Sequence, residues 1–250
     1  MWLTVPDNPA NVLWEGNLQL ATEEAAKEAS RAWGWFDRKS PDADEVAREL
    51  PVVSIGQPEV WRLEEVYPFD LMPQVASSRA SEADFYLARF SCSFRPVRKE
   101  KEVDWARFLV RLLPDKDARQ PIAYDLHPHE VTHEVTRDMR VTVGPSLKFA
   151  EVEAKAGEMA FGLEYKELQP SISAAGIGES NPSWDYEQVK GVKILGSKWM
   201  HLLIKAPRGM ETIRAYLDLT ADIKGKGWRL PVVAIRDEDR AKAHLTVQLV

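Results

Sequence analysis

Thr212-Ile213-Arg214-Ala215-Tyr216-Leu217-Asp218-Leu219-Thr220-Ala221-Asp222-Ile223 is the stretch whose reading decides the fold. Ile213, Ala215, Leu217, Leu219, Ala221 and Ile223 take every second position, and Arg214, Tyr216, Asp218, Thr220 and Asp222 take the others. Side chains of an extended strand alternate between two faces. A period of two over this length therefore buries one face and wets the other, as in an antiparallel sheet. Lys224-Gly225-Lys226-Gly227 then reads as a tight hairpin turn into a strand over 228–235.

The same period recurs outward from this strand. In 85–95, Tyr86, Ala88, Phe90, Cys92 and Phe94 alternate with Arg89, Ser91, Ser93 and Arg95; Ala106, Phe108, Val110 and Leu112 follow, ended by Pro114 and Asp115. Leu245, Val247 and Leu249 form a last strand. Further strands are expected near 121–126, 139–143, 147–154, 160–165, 170–175, 192–195 and 198–206. There is no βαβ rhythm and no repeat. The expectation is a mainly β fold: an antiparallel β-sandwich or open barrel of about 10–12 strands with a small N-terminal helical segment.

That segment differs in pattern. Thr22 is a good N-cap, Glu23 and Glu24 suit the positive helix end, and Ala25, Ala26, Ala29, Trp33 and Phe36 recur at helical spacing. Ser40-Pro41 opens a second short helix that places Val46, Ala47 and Leu50 on one face and stops at Pro51. The Ser- and Ala-rich run 74–83 reads as a linker. Residues 1–75 are thus expected to pack as a helical or irregular segment on a β domain over 84–250, with one continuous domain over 1–250 as the alternative.

Composition narrows the function classes. A net charge of −6 disfavours a nucleic-acid platform, which needs clustered Lys and Arg. The nearest basic patch, Arg95–Lys101, is interrupted by Pro96 and Glu100. The single cysteine, Cys92, permits no internal disulfide and suits a reducing compartment. The apolar runs fall far short of a helical membrane span of roughly 20 residues, and the first residues lack the pattern of a secretory signal. A cytoplasmic location is expected.

One motif carries possible chemistry. His127-Pro128-His129-Glu130-Val131-Thr132-His133 contains the His-Glu-x-x-His spacing of zinc proteases. On a helix His129 and His133 share a face and can bind one Zn²⁺, with Glu130 as general base on the metal-bound water. His127, Glu151 or Glu153 could supply the third ligand. The same stretch, however, alternates into Val135, Met139, Val141 and Val143 and is rich in β-preferring Val and Thr. On a strand the two histidines would lie about 13 Å apart, too far for one metal. The sequence therefore favours a polar surface turn or short helix feeding a strand, with no cofactor, and keeps a zinc-dependent hydrolase as the alternative.

Other signals are weaker. Gly176-Ile177-Gly178 lacks the third Gly and the following helix of a nucleotide fingerprint, and no Gly-x-Ser-x-Gly elbow exists. Cys92 falls on the apolar face of its strand. Among the nine Trp, Trp105 lies opposite in phase to Phe108 and Val110, while Trp184 and Tyr186 sit in a loop-like segment. These three are the candidate interaction residues. The expected function is a non-enzymatic cytoplasmic binding or assembly module acting through contacts with another protein.

Overall fold

The computed structural model describes residues 11–20, 50–66, 83–97, 102–142, 148–150, 160–189, 191–225, 228–233 and 245–250. The alternating stretch that opened the sequence forms β13 (Arg214–Gly225), and its odd positions enter the core as expected. Two antiparallel sheets pack as a sandwich. The first contains, in chain order, β1 (Val12–Asn17), β3 (Val52–Gly56), β4 (Glu59–Arg62), β5 (Ala83–Arg95), β7 (Ile122–His127) and β12 (Gly196–Pro207). Its spatial order is β1-β3-β5-β12-β7, with β4 also pairing β5.

The second sheet contains β2 (Gln19–Leu20), β6 (Val103–Leu113), β8 (Glu130–Thr142), β9 (Lys148–Ala150), β10 (Ala160–Ala175) and β11 (Ser183–Glu187) besides β13. β14 (Trp228–Val233) and β15 (Thr246–Gln248) complete it. The order is β2-β14-β13-β6-β11-β10-β8-β9, and β15 pairs β13. Fifteen strands are described, more than the sequence counted, because β1 to β4 and β11 arise in stretches read as irregular or loop-like. The expected strands 160–165 and 170–175 join in β10, and 192–195 gives only an isolated bridge at Val192. The only described helix is the single turn α1 (Leu63–Val66). β1 to β4 weave the start of the chain into both sheets. The helices expected over 22–36 and 40–50 and the linker over 74–83 lie almost wholly outside the described residues.

Alternation builds the core. Even positions of β5, β6 and β12 and odd positions of β13 are buried, and they merge into one cluster. Phe90 of the first sheet meets Phe108 of the second with ring centroids 6.3 Å apart, and Phe94 meets Tyr186 at 6.1 Å. Such aromatic pairs join the layers and add about 0.5–1.5 kcal/mol each beyond their buried area.

The loop 176–182 ties the two sheets at one end. The Ala123 N–H on β7 donates to the Glu179 carbonyl (2.8 Å), and the Gly178 N–H donates to the Ala123 carbonyl (2.7 Å). On the other sheet the Leu112 and Val110 N–H groups of β6 donate to the Ser180 (2.8 Å) and Pro182 (2.9 Å) carbonyls. The turn needs Gly176 at φ 100°, where a Cβ would meet the Pro182 Cα at 2.8 Å. Gly178, at φ 83°, has open space instead.

β8 and β10 make the longest ladder. It runs from Thr142 opposite Ala160 to Glu130 opposite Ser173, with one irregularity between Pro170 and Ile172. β11 pairs β10 only over Ile172–Ala175, and β9 pairs β8 only over Arg140–Thr142. Between these points the two strands form a ribbon about 30 Å long at roughly 3.3 Å per residue. Over Thr132–Met139 and Leu163–Pro170 neither outer edge has a strand partner among the described residues.

Gly176→Ala is expected to cost about 1–3 kcal/mol from backbone strain plus the Pro182 clash, and Gly178→Ala no more than about 1 kcal/mol. Urea unfolding of both variants checks this; equal costs would show that the close approach at Pro182 relaxes freely.

Candidate functional site

The His-Glu-x-x-His stretch is not helical. His129 lies in the bend before β8, and Glu130 through His133 begin the strand. This corrects the expected surface turn or short helix: the β-branched Val131 and Thr132 prevail, and the alternation noted in the sequence starts at Glu130. His129 Nε2 lies 2.9 Å from Asp125 Oδ1. His133 stands opposite Gln169 in the β8–β10 ladder. No group of three His, Cys, Asp or Glu that could hold a metal occurs among the described residues. Glu151 and Glu153 lie outside them. His127, His129 and His133 are therefore not brought together as a ligand set among the described residues.

The expected interaction residues separate into two groups. Trp184 and Tyr186 belong to strand β11 rather than a loop, and both are buried, Trp184 completely. Neither offers a contact surface, because β11 is enclosed between β6 and β10 and turns these positions inward. Burial pushes the Tyr186 hydroxyl well above its usual range, with Cys92 adding to the effect. Trp105 is half-buried on the outer face of the second sheet, where the Arg107 guanidinium lies 5.3 Å from its ring centroid. Arg107 in turn makes a bidentate pair with Asp185 (2.7 and 2.8 Å). Cys92 is buried, and burial pushes its thiol up to about 12, with Lys198 opposing. Such a thiol is inert as a nucleophile.

The outer face of the first sheet holds a cluster that the sequence did not single out. Register places Glu59 of β4 opposite Arg89 of β5, Arg89 opposite His201 of β12, and His201 opposite His127 of β7. One rung thus crosses four strands. The Arg89 side chain is only 7% exposed and pairs with Glu59. Its guanidinium lies 5.5 Å from the Trp61 ring centroid and 5.1 Å from that of Trp199. Two indoles and a carboxylate therefore shield one cation, each indole contributing about 0.5–2 kcal/mol. The His127 and His201 rings are 6.0 Å apart. His201 is held below its ordinary pKa, first by burial and then by His127 and Arg89.

The rung lies at the root of the ribbon. His127 ends β7, only Pro128 and His129 separate it from β8, and the Ala174 N–H of β10 donates to the His129 carbonyl (2.8 Å). Ser171, buried beside the irregularity in β10, donates its hydroxyl to the Val131 carbonyl (3.1 Å). The candidate site is therefore the ribbon, whose edges lack strand partners among the described residues, and the charged rung at its base.

No protein-family model and no curated protein matches the chain. Among solved structures it is similar to the Clostridium perfringens NetB toxin in its membrane-inserted form: 9% identity, TM-score 0.31, covering 76% of this chain and 92% of that one. Clostridium perfringens delta-toxin gives 9% identity and TM-score 0.31, covering 70% and 74%. A pore forming protein gives 10% identity and TM-score 0.32, covering 61% and 76%. At these TM-scores the resemblances are remote and carry no weight for fold or function.

Arg89→Ala removes the shielded cation that Trp61, Trp199 and Glu59 surround and is expected to cost about 2–4 kcal/mol. Arg107→Ala, at an exposed pair, should cost about 1 kcal/mol or less. Denaturant unfolding of the two variants compares them directly, and equal losses would contradict the shielded environment of Arg89.

Proposed function

We propose that this chain is a non-enzymatic assembly module: copies associate through the edges of the β8–β10 ribbon, and the joined ribbons close into a β-barrel that enters a lipid bilayer. The observation that carries this reading is the ribbon with both edges open over Thr132–Met139 and Leu163–Pro170 among the described residues. Unpaired strand edges are templates for further strands, and an isolated two-stranded ribbon is marginal in water. A ribbon with two different edges adds the β8 side of one copy to the β10 side of the next. That contact is head-to-tail, and it ends in a ring when the rotation closes. Closure satisfies every backbone group, the condition for strands to cross a membrane.

The residue pattern of the ribbon fits that destination. On β8 the sequence sets Val135, Met139 and Val141 in alternation with Thr136, Asp138, Arg140 and Thr142, a series that Arg137 interrupts. On β10, Phe161, Leu163 and Tyr165 alternate with Gly162, Glu164 and Lys166. The register sets Val141 opposite Phe161 and Met139 opposite Leu163, while nearer the root Arg137 stands opposite Tyr165 and Val135 opposite Glu167. Such alternation is the mark of barrel strands whose two faces meet lipid and water; here it runs through Met139 and Val141 on β8 and Phe161, Leu163 and Tyr165 on β10. No described helix is long and apolar enough to cross a membrane; a strand route needs none. The single cysteine, Cys92, is in keeping with a cytoplasmic setting, where thiols stay reduced.

The test uses purified full-length protein with dye-loaded vesicles of phosphatidylcholine and phosphatidylglycerol, in parallel with chemical cross-linking. Oligomers with dye release are expected, and Met139→Asp with Leu163→Asp should lower release at least tenfold while leaving the unfolding transition of the body unchanged. Oligomers without release would overturn the membrane step. A monomer under all conditions would overturn the assembly itself.

A further inference from the structure

Histidine is the side chain whose charge changes between about pH 5 and 8, and two histidines stand side by side at the base of the ribbon. They share a rung with one guanidinium and one carboxylate, in the order Glu59, Arg89, His201, His127 across β4, β5, β12 and β7. With both imidazoles neutral, the rung holds one cation paired to one anion. With both charged, it holds three cations in a row against the single carboxylate of Glu59. Glu59 is already committed to Arg89 from the far side of β5 and cannot reach β7.

The surrounding groups do not offset this. Asp125 lies two residues from His127 on β7, but its Oδ1 sits against His129 (2.9 Å), itself an imidazole. Lys205, further along β12 beyond Leu203, adds positive charge. Trp61 and Trp199 are neutral and already face Arg89. β7 is an edge strand of the first sheet, held beyond its ladder by the loop 176–182 at Ala123, away from His127. Its one strand partner is β12, and its ladder to β12 is broken by an irregularity between Leu203 and Ile204.

We propose that the Glu59–Arg89–His201–His127 rung is an acid-sensitive latch, which holds β7 in the first sheet near neutrality and releases it when both imidazoles are charged. Release acts where β7 passes through Pro128 and His129 into β8, so it frees the root of the ribbon. The inference stands on the rung and not on the membrane reading. The latch operates whether the ribbon joins another copy or stays alone. The sign follows from His201, whose pKa in the fold lies below its ordinary value of 6.5. Between those two values the unfolded or released state binds more protons, so stability is fully present above about pH 6.5 and is lost as pH falls toward the folded pKa.

Hydrogen exchange of the β7 amides over 122–127, corrected for the intrinsic pH dependence of exchange, tests the latch in the intact protein. Protection is expected to fall at least tenfold between pH 7.5 and pH 5.0, and to fall less than threefold in the variant carrying His127→Gln with His201→Gln. An equal loss in wild type and variant, or no loss in wild type, would overturn the proposal. The imidazole titration of His201, followed by NMR in the wild-type protein, needs no variant. A midpoint below 6.5 supports the latch, and one at or above 6.5 overturns it.

Discussion

The constraint on which this structure depends is that backbone N–H and C=O groups must be paired once strands leave water. The sandwich meets it almost everywhere with antiparallel neighbours. β5 is paired along its whole length by β12 on one side and over much of the other side by β3 and β4. β6 lies between β11 and β13. Once the ladders are set, alternation assigns each side chain to a face, and Phe90, Phe94, Phe108 and Tyr186 meet in the middle. The loop 176–182 spends its backbone groups on both sheets at once. The ribbon is the exception, because its described edges continue past β9 and β11 without strand partners.

Exception and regularity thus have one origin. The ladder that makes a stable body where strands are flanked makes a reactive edge where they are not. A protein that kept this feature by chance would carry an aggregation hazard. Natural sheets usually blunt such edges with short strands, bulges or prolines, and this ribbon has its irregularity only near its root, at Pro170. The charged rung sits beside that root. Its Arg89 is held by two indoles and a carboxylate, and its two histidine rings stand 6.0 Å apart.

Much of the body could be read in the sequence. The period of two in 85–95, 106–112 and 212–223 identified core faces that the structure bears out residue by residue. The burial of Cys92 followed from the same count. The strand character of Glu130–His133 is visible in Val131 and Thr132, but Pro128 and the helical spacing of the histidines point the other way. Trp184 and Tyr186 are misplaced by the sequence because Asn181-Pro182 reads as a loop, and indeed is one, yet the strand begins at once after it, at Ser183. The rung could not be read at all. Glu59, Arg89, His127 and His201 are far apart in the chain, and only the strand order brings them together. A weak trace existed in His201, the one polar residue within Trp199-Met200-His201-Leu202-Leu203-Ile204. The open ribbon edges were likewise invisible, because alternation reports faces and says nothing about neighbours.

The most direct test of the central claim is amide exchange along the ribbon itself, over 132–139 and 163–170, in the free protein and after incubation with vesicles. In the free chain the amides on the open edges should exchange rapidly while those inside the β8–β10 ladder are protected. With lipid, the edge amides should gain at least a hundredfold protection as each edge acquires a strand from a neighbouring copy. Edge amides that exchange equally fast with and without lipid would contradict the account.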